Sequence, residues 1–153
     1  MDWESIIPSS CTRFHGDLHF ENILYNKTDQ DYEFKLLDWR QDFGGNIEYG
    51  DIYYDLAKLN HGLIVSHRNI HNELYHVIKK NHEIEFDFQM NYKNVEFQKY
   101  FYDWIEKESL DLFRVKTLTA LIFLNIAALH HNPYDHLLFY LGKSSLLRHI
   151  RGI

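Results

Sequence analysis

The chain has 153 residues, of which 45% are apolar and 25% charged, a balance that excludes disordered and collagen-like proteins and is typical of a folded domain. Its 16 basic and 22 acidic residues give a net charge of −6, so we expect no binding to nucleic acid. The one cysteine, Cys11, excludes an internal disulfide, and the longest apolar stretch, 118–129, is shorter than the roughly 20 residues that span a bilayer. We therefore expect a single cytoplasmic domain over residues 1–153, with no membrane partner.

The first predicted element is a β-hairpin. Short apolar runs at 23–25 and 32–37 lie on either side of a polar segment, 26–31, which is rich in turn-forming residues. Two strand-like runs around such a segment are typical of paired antiparallel strands. A loop over residues 41–50 is expected to follow the second strand.

The pattern changes to helix at Asp51. This residue is a candidate N-cap, because its carboxylate can accept a hydrogen bond from a free backbone N–H of the first turn. Apolar residues then recur at helical spacing, at Ile52, Leu56, Leu59 and Leu63. The sequence therefore predicts an amphipathic helix that begins just after Asp51.

The remaining chain is predicted to be mainly helical, with one further pair of strands. Apolar residues alternate with polar ones over 84–90, which favours a strand, and 74–79 is a candidate partner. Three more helices are expected, over 95–108, 111–131 and 135–150. The predicted fold class is α+β, mainly α, with a β-hairpin followed by a helical bundle.

The residues with the clearest chemical potential lie at the base of the predicted hairpin, at 15–22 and 36–39. Asn22 precedes the first strand and Asp38 follows the second, and both are symmetric about a turn near Gln30. Residues directly opposed in such a ladder lie about 4.5–5.5 Å apart. Because amide and carboxylate oxygens are hard donors, we expect these two residues to share a Mg²⁺ ion.

The spacing of these residues indicates phosphoryl transfer. This chemistry requires metal ions between phosphate oxygens and an Asp that orients the attacking hydroxyl. His15-x-Asp17-x₄-Asn22 has the spacing of a kinase catalytic loop, and Asp38 occupies the later metal-binding position. Asp17 is therefore the candidate acceptor of the proton from a substrate hydroxyl.

On these motifs the chain resembles the aminoglycoside phosphotransferase and choline kinase family, whose fold is protein-kinase-like. That family's signature reads roughly H-G-D-L-H-x-x-N-I-L, then I-D-W, then G-D-x-x-x-D-L-A, and this chain has matching segments in order at 15–24, 37–39 and 50–57. The resemblance implies the C-terminal lobe only. Nothing before Phe14 can supply a glycine-rich loop or the β3 lysine, and G-x-G-x-x-G occurs nowhere in the sequence.

The resemblance also implies roles for individual residues. Asp17 corresponds to the catalytic Asp, and Asn22 and Asp38 correspond to the residues that bind Mg²⁺ and, through it, the nucleotide, which is ATP or GTP. The residues implied to brace the catalytic loop by hydrogen bonds are His15 and either Asp51 or Asp55.

The resemblance implies a lobe that transfers a nucleotide γ-phosphate to the hydroxyl of a small molecule, such as a sugar, an amino alcohol or an aminoglycoside. Such a lobe is expected to be inactive without an N-terminal lobe. One alternative is a non-catalytic kinase-like module that binds a missing N-terminal lobe or a second copy of itself. Another is a metal-dependent hydrolase that uses His15, Asp17, His19 and Asp38.

Overall fold

The computed structural model describes residues 3–7, 11–29, 31–42 and 44–152. These residues form five α-helices and two small antiparallel sheets, and about 51% of them are helical when two short 3-10 helices are included. The predicted α+β class is confirmed. Gln30, on which the predicted turn was centred, lies outside the described residues.

The first sheet is the predicted β-hairpin. β1 (Ile23–Lys27) and β2 (Tyr32–Leu36) pair antiparallel. Lys27 pairs with Tyr32 at the turn end of the ladder. Four residues therefore separate the paired ends of the ladder, and the side chain of Thr28 accepts a hydrogen bond from the N–H of Asp31.

The register of this hairpin corrects one prediction. Ile23 pairs with Leu36, so the ladder continues with Asn22 beside Leu37, whose N–H donates to the carbonyl of Asn22 at 2.8 Å. The prediction that Asn22 lies directly opposite Asp38 is wrong by one residue. The turn has an even number of residues, so its centre falls between two residues and not on one.

The predicted helix after Asp51 is confirmed as α1 (Ile52–Ile64). The Asp51 side chain accepts a hydrogen bond from the N–H of Tyr53 at 3.0 Å, as expected of an N-cap. A short helix that the pattern did not predict, α2 (His67–His71), follows α1.

The second sheet joins β3 (Tyr75–Lys80) to β4 (Glu83–Phe88), as the alternating pattern predicted. In β4 the apolar residues are the partly buried ones, whereas the acidic residues between them are exposed. The register of this hairpin places Tyr75 opposite Phe88. This pairing shows that period-two alternation was the correct signal in an otherwise ambiguous region.

Three longer helices complete the fold, at the predicted places but with an earlier end for α4: α3 (Tyr92–Lys107), α4 (Leu112–Ala127) and α5 (Tyr134–Arg151). The side chains of Asn91 and Asp111 cap the first two of these helices. No helix among the described residues is long and apolar enough to cross a membrane.

Seven of the buried apolar residues form two clusters, one at the end of α1 and one in its first half. One cluster joins the end of α1 to α4 and α5 through Val65, Phe123, Ala127 and Leu138. The other joins α1 to α3 and α4 through Leu56, Ile105 and Val115. Because packing fixes α1 along its length, polar side chains on this helix can hold neighbouring loops in place.

Candidate functional site

Asp55 on α1 fixes the backbone of the loop over residues 15–22, which carries Asp17 and is called the motif loop below. The N–H groups of His15 and Gly16 donate to Asp55 Oδ2 at 2.6 Å and to Oδ1 at 2.8 Å. Asp55 is only 2% exposed. Its burial raises the pKa of the carboxyl group, and the two backbone N–H donors oppose this shift. The loop is therefore attached to the centre of the helical body through a buried carboxyl group.

Asp51 has a different role. Its Oδ2 lies 2.7 Å from Nη2 of Arg114, and both side chains are 7% exposed. The guanidinium of Arg114 also stacks on Tyr53, with its central carbon 4.2 Å from the ring centroid. Asp51 thus caps α1 and joins it to α4, whereas Asp55 contacts the motif loop.

His15 joins the motif loop to the segment that carries Asp38. The N–H of Asp17 donates to His15 Nδ1 at 3.2 Å, so the ring hydrogen lies on Nε2, which donates to the carbonyl of Leu37 at 2.8 Å. The backbone of Arg40 donates to the carbonyl of His15 at 2.9 Å. The ring is buried, and both of its nitrogens are used in holding the loop.

Gly16 allows the sharp turn before Asp17. Its φ is +81°, a left-handed conformation that side chains disfavour. A Cβ atom at this position would also lie 2.6 Å from Cβ of Arg40. The loop conformation therefore requires glycine at this position.

Asp17 faces α1 and forms an ion pair that the sequence analysis did not anticipate. Nζ of Lys58 lies 2.6 Å from Asp17 Oδ1, and Nε2 of His19 lies 3.5 Å from Oδ2. Burial raises the pKa of the Asp17 carboxyl, but the Lys58 ammonium, with smaller contributions from His19 and Arg40, holds that pKa below its usual value. Lys58 follows Asp55 by three residues on the same helix. That spacing, which places both on one helix face, is the sequence signal that could have identified it.

Asn22 is buried beneath the loop. Its amide nitrogen donates to the carbonyl of Asp17 at 3.0 Å and lies 3.1 Å from Nε2 of His19. Asp38 is exposed and has a positive φ of 55°. The Asn22 amide oxygen and the Asp38 carboxylate form no hydrogen bond or ion pair with any residue that the structure describes, so both remain available as oxygen donors.

The geometry does not support the metal-dependent hydrolase. Within residues 3–7, 11–29, 31–42 and 44–152, no group of three or more His, Cys, Asp or Glu side chains is placed to hold a metal ion. His15 would have to break two hydrogen bonds to act as a ligand.

A cleft of about 450 Å³ opens beside Asp17. It lies between the motif loop, the second half of α1, α2, the start of α3 and the end of α4. Aromatic and aliphatic walls come from residues such as Phe20, Phe97 and Ile126. The charged and imidazole side chains that line it are Asp17, Glu21, Lys58, Arg68, His19, His61, His67 and His130. Sequence reasoning did not connect the last three histidines with the motif, because they come from three separate segments.

His61 is a buried residue that lines this cleft. It is 6% exposed, and its ring centroid lies 4.8 Å from that of Phe123. Burial, together with the positive charge of Lys58, lowers its pKa to about 3, so the imidazole is neutral at physiological pH. Its Nε2 atom is buried and has no hydrogen-bond partner among the described residues.

Glu21 lies at the rim of the cleft between two histidines. Its Oε2 lies 2.8 Å from His19 Nδ1, and its Oε1 lies 3.4 Å from His67 Nδ1. Burial raises the pKa of the Glu21 carboxyl, but the hydrogen bond from His19, a backbone hydrogen bond and the charges of His67 and His19 together outweigh burial, so the pKa is lowered. Both oxygens of the Glu21 carboxylate therefore already contact a histidine side chain.

Comparison with known proteins adds no relative to this picture. No family model matches the chain, and neither a curated protein nor a solved structure matches it. The family resemblance therefore depends on the three ordered motifs alone. The geometry of the loop and its cleft is a separate observation.

Proposed function

We propose that this chain is the phosphate-transferring lobe of a kinase that acts on the hydroxyl group of a small molecule bound beside Asp17. The observation that carries the proposal is the fixed position of Asp17 at the cleft. Its loop is attached to α1 by two hydrogen bonds to Asp55, and the ring of His15 joins the loop to the Asp38 segment. Such positioning is the main contribution that a protein makes to phosphoryl transfer.

In this proposal Asp17 orients the acceptor. Lys58 occupies Oδ1, so Oδ2 is the oxygen that receives the hydrogen bond of the substrate hydroxyl. The hydroxyl oxygen forms a bond to the γ-phosphorus as the bond to the bridging oxygen of the nucleotide breaks, and the hydroxyl proton passes to Asp17. Because its pKa is lowered, Asp17 is a weak base that receives this proton late in the transfer.

The donor set is compatible with Mg²⁺ held together with a nucleotide. Asn22 and Asp38 would supply two oxygen ligands, which is the number typical of a Mg²⁺ ion that takes its other ligands from phosphates and water. When bound, the ion neutralises the charge of the nucleotide phosphates. The carbonyl of Leu37, which precedes Asp38, is held by His15, so the loop and the Asp38 segment are positioned together.

The experiment is a phosphoryl-transfer assay on this chain joined to the N-terminal lobe that such a kinase requires, with Mg²⁺ and either ATP or GTP and a panel of hydroxyl acceptors. Asp17→Asn is expected to lower kcat about 10²–10⁴-fold, the usual contribution of a positioned acid or base. Asp103→Asn, at an exposed position on α3, is the matched control and leaves the rate unchanged. Turnover that is insensitive to Asp17→Asn, or no turnover with any acceptor, contradicts the proposal.

One surface favours a second candidate, a non-catalytic binding module. On the hairpin Tyr25 pairs with Phe34, and these side chains are 68% and 65% exposed. Exposed apolar side chains that are contiguous on a strand pair are typical of a docking surface. Gel filtration distinguishes the candidates when combined with calorimetric titration of Mg²⁺-ATP. A stable complex or dimer without nucleotide binding supports the binding module, whereas micromolar nucleotide binding supports the kinase.

A further inference from the structure

We propose that the cleft beside Asp17 selects an acceptor that carries an anionic group, a carboxylate or a phosphate, in addition to its hydroxyl. This inference rests on the proposed function, because it names the substrate class of the same site. It excludes the polycationic aminoglycosides and quaternary amino alcohols as the preferred acceptors.

The first argument is that the acidic groups of the cleft are already engaged. Of the residues that line it, only Asp17 and Glu21 carry carboxylates. Lys58 lies 2.6 Å from Asp17, and Glu21 contacts His19 at 2.8 Å and His67 at 3.4 Å. A cationic acceptor would therefore find no free carboxylate on this lining, and binding an ammonium there would bring it close to Lys58.

The second argument is that a cationic group of the cleft has no partner. Arg68, on α2, lines the cleft and forms no ion pair with any residue that the structure describes. A planar guanidinium with five N–H donors matches the geometry of a carboxylate or a phosphate. Arg68 is therefore the residue expected to receive the anionic group.

The third argument concerns His61, a buried polar residue that lines the cleft. The Nε2 atom of His61 is buried without a partner among the described residues, although a buried polar atom usually has one. The His61 ring is neutral, so this part of the cleft has no negative charge that would attract a cationic acceptor. The net charge of −6 is that of the whole chain. In the cleft, the two carboxylates are balanced by Lys58 and Arg68, so the cleft does not share the acidic character of the chain.

The cleft also suits a single small molecule. Its volume of about 450 Å³ lies in the lower half of the range of small-molecule pockets, roughly 300–1,000 Å³. Apolar side chains such as Phe20 and Phe97 can cover the C–H surface of an acceptor. Its hydroxyl would meet Asp17 while its anionic group meets Arg68.

The test uses four probes that share the six-carbon skeleton of glucose, together with one larger aminoglycoside. Glucose 6-phosphate and gluconate are the anionic probes, glucose is the neutral probe, glucosamine is the cationic probe, and kanamycin is the polycation. Binding to the full chain is followed by NMR through the imidazole signals of His19, His67 and His130. We expect the anionic probes to bind at least about tenfold more tightly than glucose, which corresponds to one charge-assisted hydrogen bond of about 1.4 kcal/mol.

Arg68→Gln is the decisive variant. It is expected to reduce the affinity for gluconate and glucose 6-phosphate to that for glucose, whereas Arg148→Gln, at an exposed position on α5, leaves all affinities unchanged. The backbone NMR spectrum of each variant verifies that it is folded. Tighter binding of glucosamine or kanamycin, equal binding of all probes, or no effect of Arg68→Gln overturns the inference.

The inference and the proposed function fail in different ways. If the anionic probes bind through Arg68 but no probe is phosphorylated when the chain is joined to an N-terminal lobe and supplied with Mg²⁺ and nucleotide, the kinase assignment fails and the anion-selective cleft stands. If glucosamine or kanamycin is phosphorylated in preference to the anionic probes, the kinase assignment stands and the acceptor class is wrong. Inorganic phosphate serves as a further probe. If it binds as tightly as glucose 6-phosphate, the sugar part of the probe adds nothing to binding, and the inference that the cleft selects an anionic acceptor is overturned.

Discussion

The ammonium of Lys58 lies 2.6 Å from Oδ1 of Asp17, so the helix that holds the backbone of the motif loop also holds its central carboxylate. Asp55 and Lys58 are three residues apart on α1 and reach adjacent parts of the same loop. The same helix therefore holds the loop backbone through Asp55 and contributes to the lowered pKa of Asp17 through Lys58.

We predict that Lys58→Met raises the pKa of Asp17 to or above its usual value of 3.8, since burial then acts with much less opposition. The measurement is an NMR titration of the Asp17 carboxyl carbon in wild type and variant, with Lys143→Met, an exposed lysine on α5, as the control. In the wild type the lowered pKa stabilises the fold above about pH 3.8, and this contribution is lost as the pH falls through the lowered value. An unchanged Asp17 pKa in the variant would show that Lys58 does not control it.

We predict that Gly16→Ala destabilises the protein more than Gly44→Ala. Both glycines have positive φ values, +81° and +58°, so both substitutions introduce backbone strain of about 1–2 kcal/mol. Only at Gly16 would the new Cβ overlap with Arg40, whereas nothing lies within 4 Å at Gly44. Urea unfolding is expected to show an additional loss of about 1–3 kcal/mol for Gly16→Ala. Equal losses would mean that the loop can move away from Arg40 without cost.

We predict an acid-sensitive stability that depends on His61. Burial lowers its pKa from 6.5 to about 3 in the folded protein, so below pH 6.5 the unfolded chain binds a proton that the folded protein does not. The stability contributed by the neutral ring is complete above pH 6.5 and is lost as the pH falls toward 3.

The measurement is the free energy of unfolding at pH 6.5 and pH 4 for wild type and His61→Leu. The wild type is expected to lose about 2–3 kcal/mol more than the variant over this interval. His82→Gln, at the exposed turn between β3 and β4, is the control and keeps the wild-type dependence. Because other groups titrate in both proteins, the difference between them isolates His61. Parallel pH curves for wild type and His61→Leu would exclude this role.

We predict that Asp51→Asn costs about 3–5 kcal/mol of unfolding free energy, because it leaves the buried guanidinium of Arg114 without a counter-ion. The matched control is Asp111→Asn. Asp111 also caps a helix, by accepting the N–H of Arg114, but it is exposed. Since Asn and Asp are comparable caps, the control is expected to change stability by less than about 0.5 kcal/mol. Similar losses in the two variants would show that the ion pair adds little to the cap.

Predictions from local patterns were correct for both strand pairs and the four longer helices, but they missed the short helix α2 and placed the end of α4 too late. The hairpin, the N-cap at Asp51 and the strands joined at Tyr75 and Phe88 follow from periodicity and turn composition within short segments. The hairpin register was wrong by one residue, because the alternation of β1 and β2 is compatible with turns of different length. Side chains that are exposed on a two-stranded sheet impose little preference on the register.

The sequence by itself determined the elements and the order of the motif residues, because caps, turns and hydrophobic periods depend on neighbours within a few positions. Only the tertiary structure decided that Asp55, and not Asp51, contacts the loop, and that Lys58 pairs with Asp17. It also gathered His61, His67 and His130 around one cleft. These contacts join residues about 40 or more positions apart or on separate elements, and they form only when α1 is packed against the other helices through its two apolar clusters.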